Sequence, residues 1–211
     1  MLNKPKFWDK QNTFLSIILS PLSKVFLLII FIKKKFTKLQ RFNLPIVCVG
    51  NIYIGGTGKT PISIFLANEI SKMGKKTIIL RKYYKSHYDE YNLIKNNFKN
   101  LSVNKDRVTG LREAEKANYD LAILDDGFQD YRIKKNLNII CFHQNQLIGN
   151  GLVLPSGPLR DNLNSLRDAD IIIINGSTNK NFEEKILSIN KKLEIFYSSY
   201  KLINANKFLN K

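Results

Sequence analysis

The chain is poor in sulfur and in histidine. Its 211 residues include two cysteines, two methionines, two histidines and one tryptophan. Cys48 and Cys141 each sit inside an apolar run, so they read as small core side chains in a reducing compartment. No Cys/His group has the spacing of a metal site, and His87 and His143 are read as incidental. Internal repeats are absent. No small-residue cleavage site follows the first apolar stretch, which argues against a removable signal peptide. Acidic residues are scarce as well: 17 against 34 Lys and Arg, a formal charge of +17. That excess implies an anionic partner, whether nucleic acid, anionic lipid or a phosphorylated substrate.

The position of the charge narrows the choice. Residues 1–41 carry nine basic residues (Lys4, Lys6, Lys10, Lys24, Lys33, Lys34, Lys35, Lys38, Arg41) and one acid, Asp9. The same segment is the most apolar. Phe14 to Ile32 is a run of 19 residues interrupted by Pro21 and Lys24, close to the length that spans a bilayer. A lysine near the midplane is costly, and Pro21 is expected to kink the helix. The favoured reading is a helix lying in the membrane surface, with Lys33–Lys35 held at the cytoplasmic face. Nucleic-acid binding rests on charge alone, and the charge concentrates in an apolar arm, so no nucleic-acid partner is expected.

Beyond residue 42 the pattern changes to that of an α/β domain. Strands are expected at 45–49, 77–81, 101–103, 120–124, 137–142, 170–174 and 195–199. Helices are expected at 59–73, 89–98, 107–117 and 181–192. This alternation implies βαβ units and a mostly parallel sheet. The chain therefore divides into a membrane-associating arm, 1–41, and a domain, 42–211. A long loop, 144–160, is punctuated by Gly149, Gly151, Pro155, Gly157 and Pro158, and loops of that length are usually functional. The polar tail 201–211 is expected to fray.

The stretch that carries chemistry is Gly50-Asn51-Ile52-Tyr53-Ile54-Gly55-Gly56-Thr57-Gly58-Lys59-Thr60. It lies between a strand and a helix, the context of a phosphate-binding loop. Gly55, Gly56, Thr57 and Gly58 let backbone N–H groups approach phosphate oxygens, and the helix N-terminus adds its dipole. Lys59 then reaches the β- and γ-phosphates of a nucleotide, and the Thr60 hydroxyl holds Mg²⁺. Tyr53 stands where the strict pattern has its first glycine. A second strand, 120–124, ends in Asp125-Asp126-Gly127. Carboxylates at the carboxyl end of a strand suit Mg²⁺, so Asp125 and Asp126 join Thr60 as metal-side candidates. No Asn-Lys-x-Asp guanine-reading motif is evident, which argues against a membrane-targeting GTPase.

These residues, taken in order, resemble the tetraacyldisaccharide 4′-kinases of lipid A synthesis. The resemblance runs from Phe7-Trp8-Asp9 to about Asn175. It covers the apolar arm and the phosphate loop, then Leu80-Arg81-Lys82-Tyr83, Asp89-Glu90 and Lys105-Asp106-Arg107. It continues through Leu124-Asp125-Asp126-Gly127-Phe128-Gln129 and Gly149-Asn150-Gly151-Leu152-Val153-Leu154-Pro155-Ser156-Gly157-Pro158-Leu159-Arg160. The family lacks a glycine at the Tyr53 position. The resemblance implies a P-loop NTPase-like fold with an N-terminal apolar membrane-associated helix. It implies ATP- and Mg²⁺-dependent phosphorylation of the 4′-hydroxyl of a lipid disaccharide at the anionic, cytoplasmic face of the bacterial inner membrane, with no protein partner. It also implies roles for residues that would otherwise look ordinary: Asp89 as proton acceptor, Glu90 as a metal-side acid, Arg107 and Arg160 as phosphate ligands.

The chain departs from the family pattern in places. Tyr88 and Tyr91 flank Asp89-Glu90 where the family has Gly and Pro. The segment between Tyr83 and Asp89 is shortened. Asp130 replaces a His and Asp161 a Glu. Family members continue past Lys211 into a part that carries a His paired with the catalytic Asp. The 211 residues alone are therefore expected to bind ATP but to transfer its phosphoryl group poorly. The alternatives are a degenerate nucleotide-binding protein without turnover and another membrane-associated P-loop NTPase.

Overall fold

A computed structural model describes residues 4–200; the tail 201–211 lies outside the described residues. Seven strands form one wholly parallel sheet: β1 (Ile46–Gly50), β2 (Thr77–Lys82), β3 (Leu101–Asn104), β4 (Leu121–Asp125), β5 (Leu137–His143), β6 (Ile171–Asn175) and β7 (Glu194–Ser198). Their order is β3-β2-β4-β1-β5-β6-β7. The helices of the domain are α2 (Lys59–Lys72), α3 (Tyr88–Asn97), α4 (Arg107–Lys116) and α5 (Lys180–Ile189), preceded by α1 (Phe14–Phe36). Each strand lies within about a residue of its expected place; the inner strands, buried on both faces, are almost unbroken apolar runs.

Both faces of the sheet are covered. Ile46, Cys48, Leu80, Leu124 and Ile140 pack on one side with Leu111 of α4 and Ile186 of α5. Val49, Ile79, Ile123 and Cys141 pack on the other against Ile62 and Ala67 of α2 and Ile94 of α3. The cysteines are buried and free, on opposite faces. Burial pushes the Cys48 thiol up to about 11 and Cys141 up to about 12, which leaves both as inert core residues. The strand after β1 goes to one side and β5 returns to the other, so the crevice above β1 is the switch point where ligands sit in such sheets.

The helix α1 runs unbroken through Pro21 and extends four residues beyond the apolar run. One missing N–H does not end a helix whose neighbouring turns keep their own ladders. Its orientation is the opposite of a soluble amphipathic helix. The buried positions are Ser16 and Ser23, joined by the half-buried Phe26 and Leu27 on the domain core. The Ser23 hydroxyl donates to the Val153 carbonyl at 2.8 Å and accepts from the Ser156 N–H at 3.1 Å. The turn before α1 is fixed too: Trp8 Nε1 donates to the Pro155 carbonyl at 3.1 Å, and the Asn150 N–H donates to the Trp8 carbonyl at 2.7 Å. The long loop 144–160 is thus the seat of the arm. The other face of α1, with Ile18, Leu22, Val25, Leu28, Ile29 and Ile32, is exposed.

Candidate active site

The phosphate loop leaves the end of β1 and enters α2. Gly58 is the N-cap of α2 with φ +85°, and a Cβ there would collide with the Asn175 side chain. L side chains rarely adopt that backbone, and here one would also have to displace Asn175. Thr57 faces inward: Asn51 Nδ2 donates to Thr57 Oγ1 at 3.0 Å, and Asn175 Nδ2 donates to the Thr57 carbonyl. Two buried asparagines, one just after β1 and one ending β6, therefore brace the loop from below. Asn175 carries no sequence signal for this, since it is an isolated polar residue ending an isoleucine run.

Lys59 and Thr60 open α2 and separate toward two carboxylates. Thr60 Oγ1 donates to Asp125 Oδ2 at 3.1 Å, and Ser63 Oγ holds the other oxygen at 3.2 Å. Asp125 is fully buried. Asp126 turns the opposite way because its backbone is left-handed, φ +59°. Its carboxylate accepts from Arg160 at 2.9 and 3.1 Å and lies 3.8 Å from the Lys59 ammonium. Burial alone would raise the Asp126 carboxyl; the charges of Lys59 and Arg160 outweigh it and hold the group below the ordinary carboxylate range. Burial pushes the Lys59 ammonium below the ordinary lysine value, against the pull of Asp126.

A cavity of about 930 Å³ opens above these groups, lined by Gly55–Pro61 together with Arg81, His87, Glu90, Asp126 and Arg160. Of the residues expected from the sequence, the structure brings together the loop glycines, Lys59, Thr60, Glu90, Asp125, Asp126 and Arg160. It does not bring in Asp89, which is exposed on the first turn of α3 and outside the cavity lining. Arg107 is buried behind the carboxylates. It donates to the Asp126 carbonyl at 2.6 Å and braces that turn, and it does not line the cavity.

Two site residues escaped the sequence reading. Arg81, at the end of β2, is 4% exposed. The parallel register places it beside Asp125, and its guanidinium engages Asp125, Thr60 and Glu90. His87 lines the cavity, with Nδ1 accepting from Arg81 at 3.2 Å. That bond leaves the ring's other nitrogen as an N–H donor. Burial and then the Arg81 charge push the imidazole below its ordinary value, against the opposing pull of Asp126. An NMR titration of His87 should therefore show a midpoint below the usual value of about 6.5; a midpoint at or above it would mean that the ring is neither buried in this way nor faced by Arg81. His143 lies outside the cavity lining.

The residues fit a nucleotide with its divalent ion. The glycine cradle, the α2 N-terminus and Lys59 suit phosphate oxygens. Thr60 and Asp125 supply hard oxygen donors, and a guanidinium already stands against both, as a cation would. No cluster of three or more His, Cys, Asp or Glu exists among the described residues, so the ion would complete its shell with phosphate oxygens or water. A second cleft, about 550 Å³, lies beneath the end of α1. Its Lys34 is paired with Asp168 at 2.5 Å.

Comparison with known proteins agrees with this geometry. The family model for tetraacyldisaccharide-1-P 4′-kinase matches residues 15–97 and 86–209. The chain is 40% identical to the tetraacyldisaccharide 4′-kinase of Pelagibacter ubique, over 98% of this chain and 66% of the relative. It is 32% identical to that of Ruthia magnifica, over 74% and 58%, and 32% identical to that of Francisella philomiragia, over 96% and 69%. The chain thus spans between 58% and 69% of the length of these relatives. Among solved structures, LpxK from Aquifex aeolicus in complex with ATP superposes with a TM-score of 0.66 at 23% identity, over 89% of this chain and 82% of that one. The signal recognition particle 54 kDa protein of Aeropyrum pernix, in complex with GDP, gives 0.55 at 10% identity, over 95% and 51%. At such identities both likenesses establish the fold.

Proposed function

The chain belongs to the tetraacyldisaccharide-1-P 4′-kinase family, and from that premise we propose that its protein transfers the γ-phosphoryl group of ATP to the 4′-hydroxyl of a tetraacylated disaccharide 1-phosphate at the cytoplasmic surface of the inner membrane. The observation that carries this reading is the 3.1 Å pairing of Thr60 with Asp125 beneath the Gly55–Lys59 loop. It is a hydroxyl–carboxylate pair placed under a phosphate cradle.

Phosphoryl transfer asks a protein mainly for positioning and charge neutralisation. The backbone N–H groups of the loop hold the phosphates, and Lys59 brings its ammonium to the transferred group. Thr60 and Asp125 would hold Mg²⁺, which neutralises charge on the phosphate oxygens when bound. Arg160 lies on the cavity wall at 2.9 Å from Asp126, so an incoming phosphate competes with that carboxylate for it. The proton of the acceptor hydroxyl falls to Asp89 by family resemblance. Because Asp89 is exposed beside the cavity, the acceptor sugar must approach over the first turn of α3. His87, which donates from its free N–H, is placed to orient an oxygen there.

The apolar face of α1 supports the choice of a lipid substrate. A helix pinned to its own domain at Ser23 and packed on it at Phe26 and Leu27 has the domain body alongside it. A full span would drag that polar body into hydrocarbon, so α1 lies along the surface, and Lys33 and Lys35, beside the Asp168-paired Lys34, meet anionic headgroups. The test is transfer of labelled γ-phosphate from ATP to the disaccharide lipid in vesicles by the full-length protein. Product phosphorylated at the 4′ position is expected; turnover of ATP with no lipid product would overturn the reading.

A further inference from the structure

Of the four side chains expected on the metal side, Thr60, Asp125 and Glu90 converge on one guanidinium, while Asp126 turns away to Arg160 and Lys59. Arg81 Nη1 donates to Thr60 Oγ1 at 3.0 Å and to Asp125 Oδ2, and Nη2 pairs with Glu90. Resting on the nucleotide-site reading above, we propose that Arg81 is a built-in stand-in for the divalent ion. It fills the metal position in the nucleotide-free protein and gives it up when the ion arrives with ATP, turning Nη1 to a phosphate oxygen.

Asp125 imposes the first requirement. Its carboxylate is 0% exposed, and a buried carboxylate needs a countercharge at all times. Among the described residues Arg81 is the cation within ion-pair distance of it. The arrangement is fixed by the backbone, since the β2–β4 register sets Arg81 directly across from Asp125. Thr60 Oγ1 and Asp125 Oδ2 stand 3.1 Å apart. Two adjacent corners of a Mg²⁺ octahedron with bonds of about 2.1 Å are separated by roughly 3 Å. Arg81 Nη1 bonds the same two oxygens that would form that edge. An ion and a guanidinium cannot share them, because the space is single and the charges repel. Exchange is therefore obligatory if the site is to load.

The guanidinium is also incompletely satisfied and has somewhere to go. Arg81 Nε is buried without a hydrogen-bond partner, and the side chain lines the cavity. Glu90 and His87 both lie on the Nη2 side, so Nη1 can leave Asp125 while the other nitrogen stays tethered. Phosphate oxygens in the cavity would then receive Nη1. The exchange couples metal to nucleotide: the ion alone must displace Arg81 with no anion to take it up, whereas the ion with ATP supplies both.

Mn²⁺ binding to the full-length protein, followed by electron paramagnetic resonance without nucleotide, tests this. Wild type should bind Mn²⁺ weakly. Arg81→Gln removes the competitor and should bind Mn²⁺ about ten- to a hundredfold more tightly, the range of a lost bond to a charged group. Arg81→Lys, a single point charge that cannot bridge both oxygens, should fall between. Arg81→Gln should also lose thermal stability and regain it with Mn²⁺, whereas wild type gains little from Mn²⁺ alone. Unchanged or weaker Mn²⁺ affinity in both variants overturns the proposal. So does an Arg81→Gln protein that stays unfolded at saturating Mn²⁺, since the ion then cannot replace the guanidinium. Failure of wild type to bind Mn²⁺ together with ATP is a separate result and strikes the nucleotide-site reading itself.

Discussion

Replacing Lys59 by Ala is expected to lower phosphoryl transfer by the full-length protein on the order of 10²–10³-fold, the cost of deleting one preorganised charge from a transition state. The ammonium sits at the cavity floor, largely shielded from water, 3.8 Å from Asp126. In that setting a charge acts through a lower effective dielectric than at the surface. The fold should survive, because Asp126 keeps Arg160 at 2.9 Å and Asp125 keeps Arg81. A thermal melt near wild type combined with loss of turnover separates a chemical role from a structural one. Unchanged turnover in the same assay would remove the phosphate-loop assignment.

Membrane attachment should respond just as strongly to the outer face of α1. Leu22 is 56% exposed and Ile29 57% exposed, so neither supports the core. Changing both to Glu should reduce partitioning into anionic vesicles by roughly 10²–10⁴-fold, taking about 1.5–3 kcal/mol for each large apolar side chain that lipid would otherwise cover. High salt should release much of the wild type, because each basic residue near the surface contributes only about 1 kcal/mol and is screened. Flotation that the double variant does not diminish would place the membrane contact elsewhere. Wild type that resists both high salt and alkaline carbonate would make α1 a true span.

The departures from expectation have one physical root. Arg81 was visible in Leu80-Arg81-Lys82-Tyr83 as part of a resemblance, yet its contact with Asp125 joins residues 44 positions apart. Nothing local to either residue encodes that contact; the β2–β4 register does. Arg107 and Arg160 looked equivalent as basic family positions. The start of α4 aims Arg107 at the carbonyls behind the carboxylates, while the bridge of Leu159 to Tyr53 beside the phosphate loop carries Arg160 to the cavity wall. Adjacent residues of α3 diverge as well: Glu90 faces the cavity and Asp89 faces solvent, since neighbours on a helix are about 100° apart.

The sequence by itself determined the element types, the parallel sheet, the phosphate loop with Lys59 and Thr60, and an arm both apolar and basic. Those properties are written in local periodicity and in short motifs, where a backbone state and a chemical group are specified by neighbouring residues. The tertiary structure alone decided which cation stands against Asp125, which asparagines hold Thr57, and which face of α1 is left bare. An apolar stretch rich in Leu and Ile has no obvious inner side. The choice fell to Ser16 and Ser23 because the loop at 150–156 offers them buried hydrogen-bond partners, and a hydroxyl turned away from those partners would gain nothing in hydrocarbon.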